Sequence, residues 1–435
     1  MYRISDVMRD MTRASVASTP APVDLIPFCS NNDGPPKEQT AIPGTKMSVI
    51  ALTEFDCLEQ YIPAWEELAR TALEPNPFYE AWMLIPALRL LGKGKGLQLV
   101  LVFAQDKAQA AGPPVLCGVF PLERKSRYKG LPVSVLSLWK HLYCFLCTPL
   151  IRADRARECL SAFFDWLTSA RESAPLVEFN YVSGEGPFNQ ALVDCLNERL
   201  NLSFVSAIYN RALFKPRADA DEYLRAAMSR EHRKDVRRRQ RRFSEQGRVE
   251  FAALEMEDDP RAWLEEFMQL EASGWKRELG GVIASKQEYS DYFITIAREA
   301  FRRGRLMMLG LRLNDKPIAL KCNFLAEDGG YAFKIAYDES YSRFSPGFLL
   351  EIENIRRLHS RPEVEWMDSC AVPVHFMINR LWLDRRTIQT LLVSTGRRPG
   401  DMVVSLMPLI RWLNRKLRGI SKSQAKAHNN MEDEA

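Results

Sequence analysis

The pattern of apolar and polar segments runs once from about residue 47 to Leu200 and then starts over, and this recurrence constrains the fold more than any single motif. In the first pass, Ser48–Thr53 reads as a short strand, and Leu58, Tyr61, Trp65 and Leu68 then recur at helical spacing. A second helix is expected over 78–91. The apolar runs 97–105 and 116–122 flank Gly112-Pro113-Pro114 and suit neighbouring strands joined by a turn. A helix over 152–171, a strand over 176–182 and a helix over 188–200 complete the pass. The second pass opens with a strand over 204–214 and one long helix over 222–245. A strand over 249–254 follows, then a helix over 260–273 with Trp263, Phe267 and Leu270 on one face, and another helix over 289–302. The runs 306–313, 318–324 and 331–337, broken at Asn314-Asp315 and Gly329-Gly330, form an antiparallel meander. A helix over 346–358 and a strand over 364–367 close it. The simplest fold is a duplicated α/β (α+β) unit: two mixed, mostly antiparallel sheets flanked by helices, with a cleft between them.

Length agrees, because 435 residues exceed what one core usually organises. Residues 1–46 are rich in Pro, Ser, Thr and Asn and lack apolar periodicity, so they read as a disordered leader. The expected division is 47–203 and 204–395 for the two units, with 396–435 as a basic amphipathic helix and polar tail. The net charge of +5 excludes a polycation, but charge is concentrated: 230–248 holds nine basic and three acidic residues. Nine cysteines at irregular spacing fit reduced thiols, and with neither an export signal nor a span of ~20 apolar residues a cytoplasmic protein is expected. Cys144 and Cys147 have CxxC spacing, yet no second such pair exists to complete four ligands, so no metal is assigned.

Where the meander becomes a helix, Ser345 stands at the cap position, Pro346 at the first helical position and Gly347 after it. Free amides at such a start attract an anion; the alternative is a cap that binds nothing. Asp338 and Asp368 each follow a strand of the second unit, where either can serve as a base or simply hold a turn. Tyr337 and Tyr341 can act as acids, and Lys334 can anchor charge or pair with a carboxylate. His375 lies beyond the last of these strands, as a proton carrier or an ordinary loop histidine. The run Arg237-Arg238-Arg239 fans round more than half of a helix. It reads as a solvated face paired with Glu231 and Asp235, or as a seat for an anionic substrate, rather than a specific nucleic-acid surface. Residues 402–420 mix apolar positions with Arg411, Arg415, Lys416 and Arg418, with a kink or restart expected at Pro408; they either pack on the parent unit or lie on an anionic membrane.

Three stretches of the second half carry a family likeness: Met228–Val249, Ser273-Gly274-Trp275-Lys276, and Lys334–Gly347 running into Phe348-Leu349-Leu350. Pro77-Phe78-Tyr79 and Cys147–Ile151 add to it in the first half. Through them the chain resembles acyltransferases of the GNAT superfamily, specifically the CelD-like subfamily linked to cellulose or exopolysaccharide biosynthesis. The resemblance spans about 47–390 and implies two tandem GNAT-like domains. It further implies acyl-CoA as donor, its pyrophosphate received by Arg343, Ser345, Pro346 and Gly347; where the family pattern has its first glycine, this chain has Pro346. Trp275 and Lys276 would border the acceptor. The implied reaction moves an acyl group to an amine or hydroxyl of a polysaccharide precursor, lipid-linked sugar or metabolite. The alternatives are a FemAB-like peptidyltransferase using aminoacyl-tRNA and a non-catalytic scaffold.

Overall fold

A computed structural model describes residues 39–41, 47–105, 114–170, 173–273 and 283–413. The first half supplies β1 (Gln39–Ala41), β2 (Met47–Leu52), α1 (Ile62–Arg70), α2 (Ala81–Leu91), β3 (Leu97–Ala104), β4 (Val115–Lys125), β5 (Val135–Leu138), β6 (Leu150–Ile151), α3 (Ala156–Ser169), β7 (Leu176–Ser183) and α4 (Pro187–Glu198). Next come β8 (Ser203–Phe214), α5 (Ala220–Ala227), α6 (Arg230–Ser244), β9 (Val249–Ala253), α7 (Pro260–Ser273), α8 (Gln287–Arg302), β10 (Leu306–Leu313), β11 (Lys316–Leu325) and β12 (Gly329–Tyr337). The chain then forms α9 (Pro346–His359), β13 (Trp366–Asp368), α10 (Phe376–Leu381), β14 (Asp384–Ser394) and a terminal helix, α11, over 398–413.

The fourteen strands of the described residues join one sheet, ordered β1-β2-β3-β4-β5-β7-β14-β8-β13-β12-β11-β10-β9, with β6 beside β4. Its centre is the long β14/β8 antiparallel pair. Outward from that pair the two sides mirror each other. The only parallel contacts among the described strands are β5 with β7 and β12 with β13, at matching places on either side. The duplication anticipated from the segment pattern is therefore visible in the strand order. Chain order and sheet order part at β14, which follows β13 in sequence but lies between β7 of the first half and β8. The two halves are thus hydrogen-bonded into one mixed α/β sheet, not merely set side by side.

The core follows from the residue pattern. Every residue of β3 is buried, as a strand covered on both faces requires. Tyr292, Phe293, Ile296, Ala297 and Ala300 form the buried stripe of α8. On one face α7 and α8 continue the apolar cluster of the first half, and α2 packs on α8 across the junction; on the other, Val236, Phe243, Leu350 and Ile355 of α6 and α9 cover the second half.

Four local expectations are corrected. The single helix over 222–245 is two, because Ser229 turns extended and its hydroxyl accepts from the His232 amide, starting α6 afresh. Residues 39–41, within the stretch expected to lack order, pair with β2 as an edge strand. The helix at the carboxy-terminal end runs through Pro408 without a break. The strand expected over 364–367 begins at Trp366 rather than residue 364, because Val364 is still held in a turn to Arg361.

Candidate active site

The parallel contact between β12 and β13 lasts three residue pairs, ending at Tyr331 opposite Asp368. Beyond it β12 runs on through Tyr337, paired only with β11. Over 332–337, near the middle of the sheet, no strand among the described residues adjoins the side of β12 that β13 leaves.

This stretch leads to the expected anion turn. A 3-10 turn over Glu339–Phe344 ends at Ser345, which takes the left-handed conformation (φ 56°, ψ 54°) and opens α9. Ser345 does not cap the helix with its side chain, contrary to expectation. The tight preceding turn sets its backbone, its carbonyl accepts from the Phe348 and Leu349 amides, and its hydroxyl accepts from Arg239 Nη1 at 2.7 Å. Pro346 has no amide hydrogen, and the Gly347 amide donates to no group among the described residues. Arg343 is exposed, its guanidinium 4.6 Å from the Phe344 ring. The Gly347 amide and the Arg239 guanidinium thus meet at the helix start, with Arg343 two residues before Ser345 in sequence. This set suits a diphosphate. A Cβ on Gly347 would lie 3.6 Å from the side chains of Ile335 and Tyr337, so both flank the same spot.

Arg239 is there because α6 packs on the turn. Phe243 touches Tyr341 and Phe344 while Asp235 pairs with Arg238 and Arg239. The pairing with Asp235 is as expected. The contact with Ser345 follows from tertiary packing alone.

Asp338 caps the 3-10 turn: its carboxylate accepts from the Ser340 amide at 3.1 Å and hydroxyl at 2.6 Å, and from Lys316 Nζ at 3.0 Å. Partial burial raises the pKa of its carboxyl, but the Ser340 and Lys316 hydrogen bonds outweigh burial and hold it below the usual range. That makes it a poor proton acceptor. Asp368 does not face a cleft. It is fully buried at the junction of the halves, accepting from Arg211 Nη2 at 2.6 Å, Arg386 Nη1 at 3.2 Å and the Cys370 amide at 2.9 Å. The His375 side chain accepts from the Ile378 amide at 3.4 Å at the start of α10. Trp275 and Lys276 lie outside the described residues.

Lys334 pairs with Glu271, a carboxylate that sequence reasoning missed. Glu271 sits on the buried face of α7, 3% exposed, and also accepts from the Ile283 amide at 2.8 Å. An acid beside Leu270 on an otherwise apolar face was the available signal. Lys334 Nζ lies 5.3 Å from the Tyr143 ring of the first half, so this pair sits where the halves meet. Tyr143 in turn packs on Tyr289, Tyr292 and Phe333, and Tyr292 on His141. Burial, with the nearby Glu271 charge, pushes the Tyr143 hydroxyl well up.

Cys144 and Cys147 are buried free thiols whose sulfurs, 3.8 Å apart, share a hydrogen bond and not a disulfide. Among the described residues no group of three or more His, Cys, Asp or Glu is placed to hold a metal, and no helix is long and apolar enough to cross a membrane.

Residues 230–371, from the start of α6 to just beyond β13, match the acetyltransferase (GNAT) domain family. No curated protein matches. Among solved structures, FemX aligns over 75% of this chain and 95% of its own at 10% identity, with a TM-score of 0.49. A tandem GNAT protein from the clavulanic acid biosynthesis pathway aligns over 81% and 99% at 11% identity, TM-score 0.40. A conserved protein of unknown function from Bacteroides thetaiotaomicron aligns over 77% and 97% at 10% identity, TM-score 0.46.

Proposed function

We propose that this protein is an acyltransferase that takes an acyl group from acyl-CoA and transfers it directly to an amine or hydroxyl of a glycan precursor, lipid-linked sugar or metabolite. The observation that carries this reading is the stretch of β12 beyond Tyr331, where no described strand adjoins the side that β13 leaves, leading into the Ser345–Gly347 helix start. An extended thioester arm can add to that side by main-chain hydrogen bonds while its diphosphate rests on the Gly347 amide, Arg239 and Arg343. Tyr337, whose ring flanks Gly347, then donates its hydroxyl proton to the departing thiolate. The nucleophile's proton passes to solvent rather than to Asp338 or Asp368, the acids anticipated at strand ends, because donors already hold both carboxylates. Tyr341 is held by Phe243 and Phe344 and supports the turn.

Calorimetry of the full chain with acetyl-CoA tests the donor. Binding that weakens about tenfold in Arg239→Ala and Arg343→Ala is expected; no binding of any acyl-CoA overturns it. A second reading, an aminoacyl-tRNA donor, draws on the exposed Arg237, Arg238, Arg241 and Arg242 on the same helix as Arg239. Competition between acyl-CoA and aminoacyl-tRNA for the full chain separates the two donors.

We also propose peripheral contact with an anionic membrane through α11. Val403, Val404 and Met407 pack on Leu176 and Leu392, while Met402, Leu406, Leu409, Trp412 and Leu413 form an exposed apolar stripe. The basic residues Arg415, Lys416 and Arg418 follow in sequence.

A further inference from the structure

Far from the β12 edge, the first half holds a cavity of about 540 Å³ between the end of α2, the start of β3 and the end of β4. Its size falls within the range of small-molecule sites. One wall is the loop Gly92-Lys93-Gly94-Lys95-Gly96, in which Gly94 (φ 73°) and Gly96 (φ 52°) hold left-handed backbone. A Cβ at Gly94 would meet nothing within 4 Å, so glycine is needed there for conformation and the loop surface stays bare. The floor is apolar, from Phe55, Leu88 and Leu97.

The charges in this lining do not cancel. Arg89 is satisfied by Glu59 and by the Phe55 and Asp56 carbonyls. Lys93 and Arg124 are exposed and have no carboxylate partner among the described residues, and Lys95 meets only the Trp139 ring at 5.9 Å. Against these three cations the lining holds one carboxylate outside the Arg89–Glu59 pair, Asp56, leaving two positive charges in excess. Gln98, 4% exposed and part of the same lining, has a side-chain amide nitrogen with no hydrogen-bond partner. A buried donor left unmade is costly unless something else receives it.

We propose that this cavity binds a phosphate monoester carrying a small apolar body. A monoester dianion of about −1.5 to −2 at neutral pH matches the two-charge excess, which a single carboxylate does not. Lys93 and Arg124 grip the phosphate, the bare glycine loop lets it approach the main chain, the apolar floor takes the body, and Gln98 donates to an oxygen of the ligand. The site lies outside residues 230–371 and is independent of the acyl-transfer reading.

Phenyl phosphate, inorganic phosphate and benzoate, titrated into the full chain at fixed ionic strength, provide the test. Saturable binding of phenyl phosphate is expected, about tenfold tighter than either other probe. The double variant Lys93→Ala/Arg124→Ala should lose about tenfold or more, whereas Arg127→Ala/Lys129→Ala, an equal loss of charge on the exposed stretch just after β4, should bind as the parent does. Gln98→Met should weaken binding without lowering Tm, since it removes an unpaired buried donor. Absence of saturable binding into the millimolar range overturns the proposal. So does equal binding by the double variant and the parent, or inorganic phosphate binding as tightly as phenyl phosphate.

Discussion

Asp368→Asn distinguishes a structural carboxylate from a catalytic one. In the folded protein Asp368 is the one carboxylate that Arg211 meets among the described residues, at 2.6 Å, with Arg211 itself 2% exposed. The other Arg211 contact is the Phe145 carbonyl at 2.7 Å, and its Nε has no partner. Arg386 has a second acid, Glu74, but at 3.8 Å. Asparagine keeps the shape and one acceptor oxygen, yet removes the charge that neutralises two buried guanidiniums at the seam between β8, β13 and β14. Breaking a buried pair of this kind from one side costs about 3–5 kcal/mol. At about 2.1 cal/mol/K per residue, a 435-residue chain shifts its Tm by roughly 1 °C per kcal/mol, so a fall of about 3–5 °C is expected. Denaturant unfolding gives the free energy directly, and acyl-CoA binding of the folded fraction should be unchanged. A variant as stable as the parent to within about 1 kcal/mol, but inactive, would refute the reasoning and return Asp368 to the chemistry.

Other outcomes are equally specific. Burial, aided by Lys140 and Lys95, depresses the His141 imidazole to about 3, so the unfolded chain binds the extra proton first as pH falls; stability should be full above about 6.5 and decline from there towards about 3, and His141→Phe should flatten that stretch of the profile. Gly329→Ala places a Cβ 2.1 Å from the Trp366 ring, which must move, and should cost about 1–3 kcal/mol by denaturant unfolding. The α11 proposal predicts sedimentation with anionic vesicles that is lost in Leu406→Glu/Leu409→Glu/Trp412→Glu; equal sedimentation of both proteins rejects it.

Local signals were legible wherever one element's own pattern decides the outcome. Strands, most helices and the turn before α9 follow from periodicity and from Gly, Pro and Asp positions, and Asp338 shows how a loop acid satisfies nearby donors. The same logic misled at Ser345, where a good cap residue is held left-handed by the turn before it and given to Arg239. It also misled at Asp368, since a strand-end acid looks alike whether it faces solvent or two arginines 157 and 18 residues away in sequence.

The sequence alone determined that the chain repeats an α/β pattern, that its charge gathers in a few helices, and that a helix starts at Ser345-Pro346. These depend on neighbours within a turn or two. Only tertiary structure decided that β14 returns to join the halves, that β13 parts from β12 at Tyr331, and that Arg239, Glu271 and the loop around Lys93 acquire their surroundings. Those outcomes depend on which distant segments share hydrogen bonds and buried charge, and no local periodicity encodes such pairings.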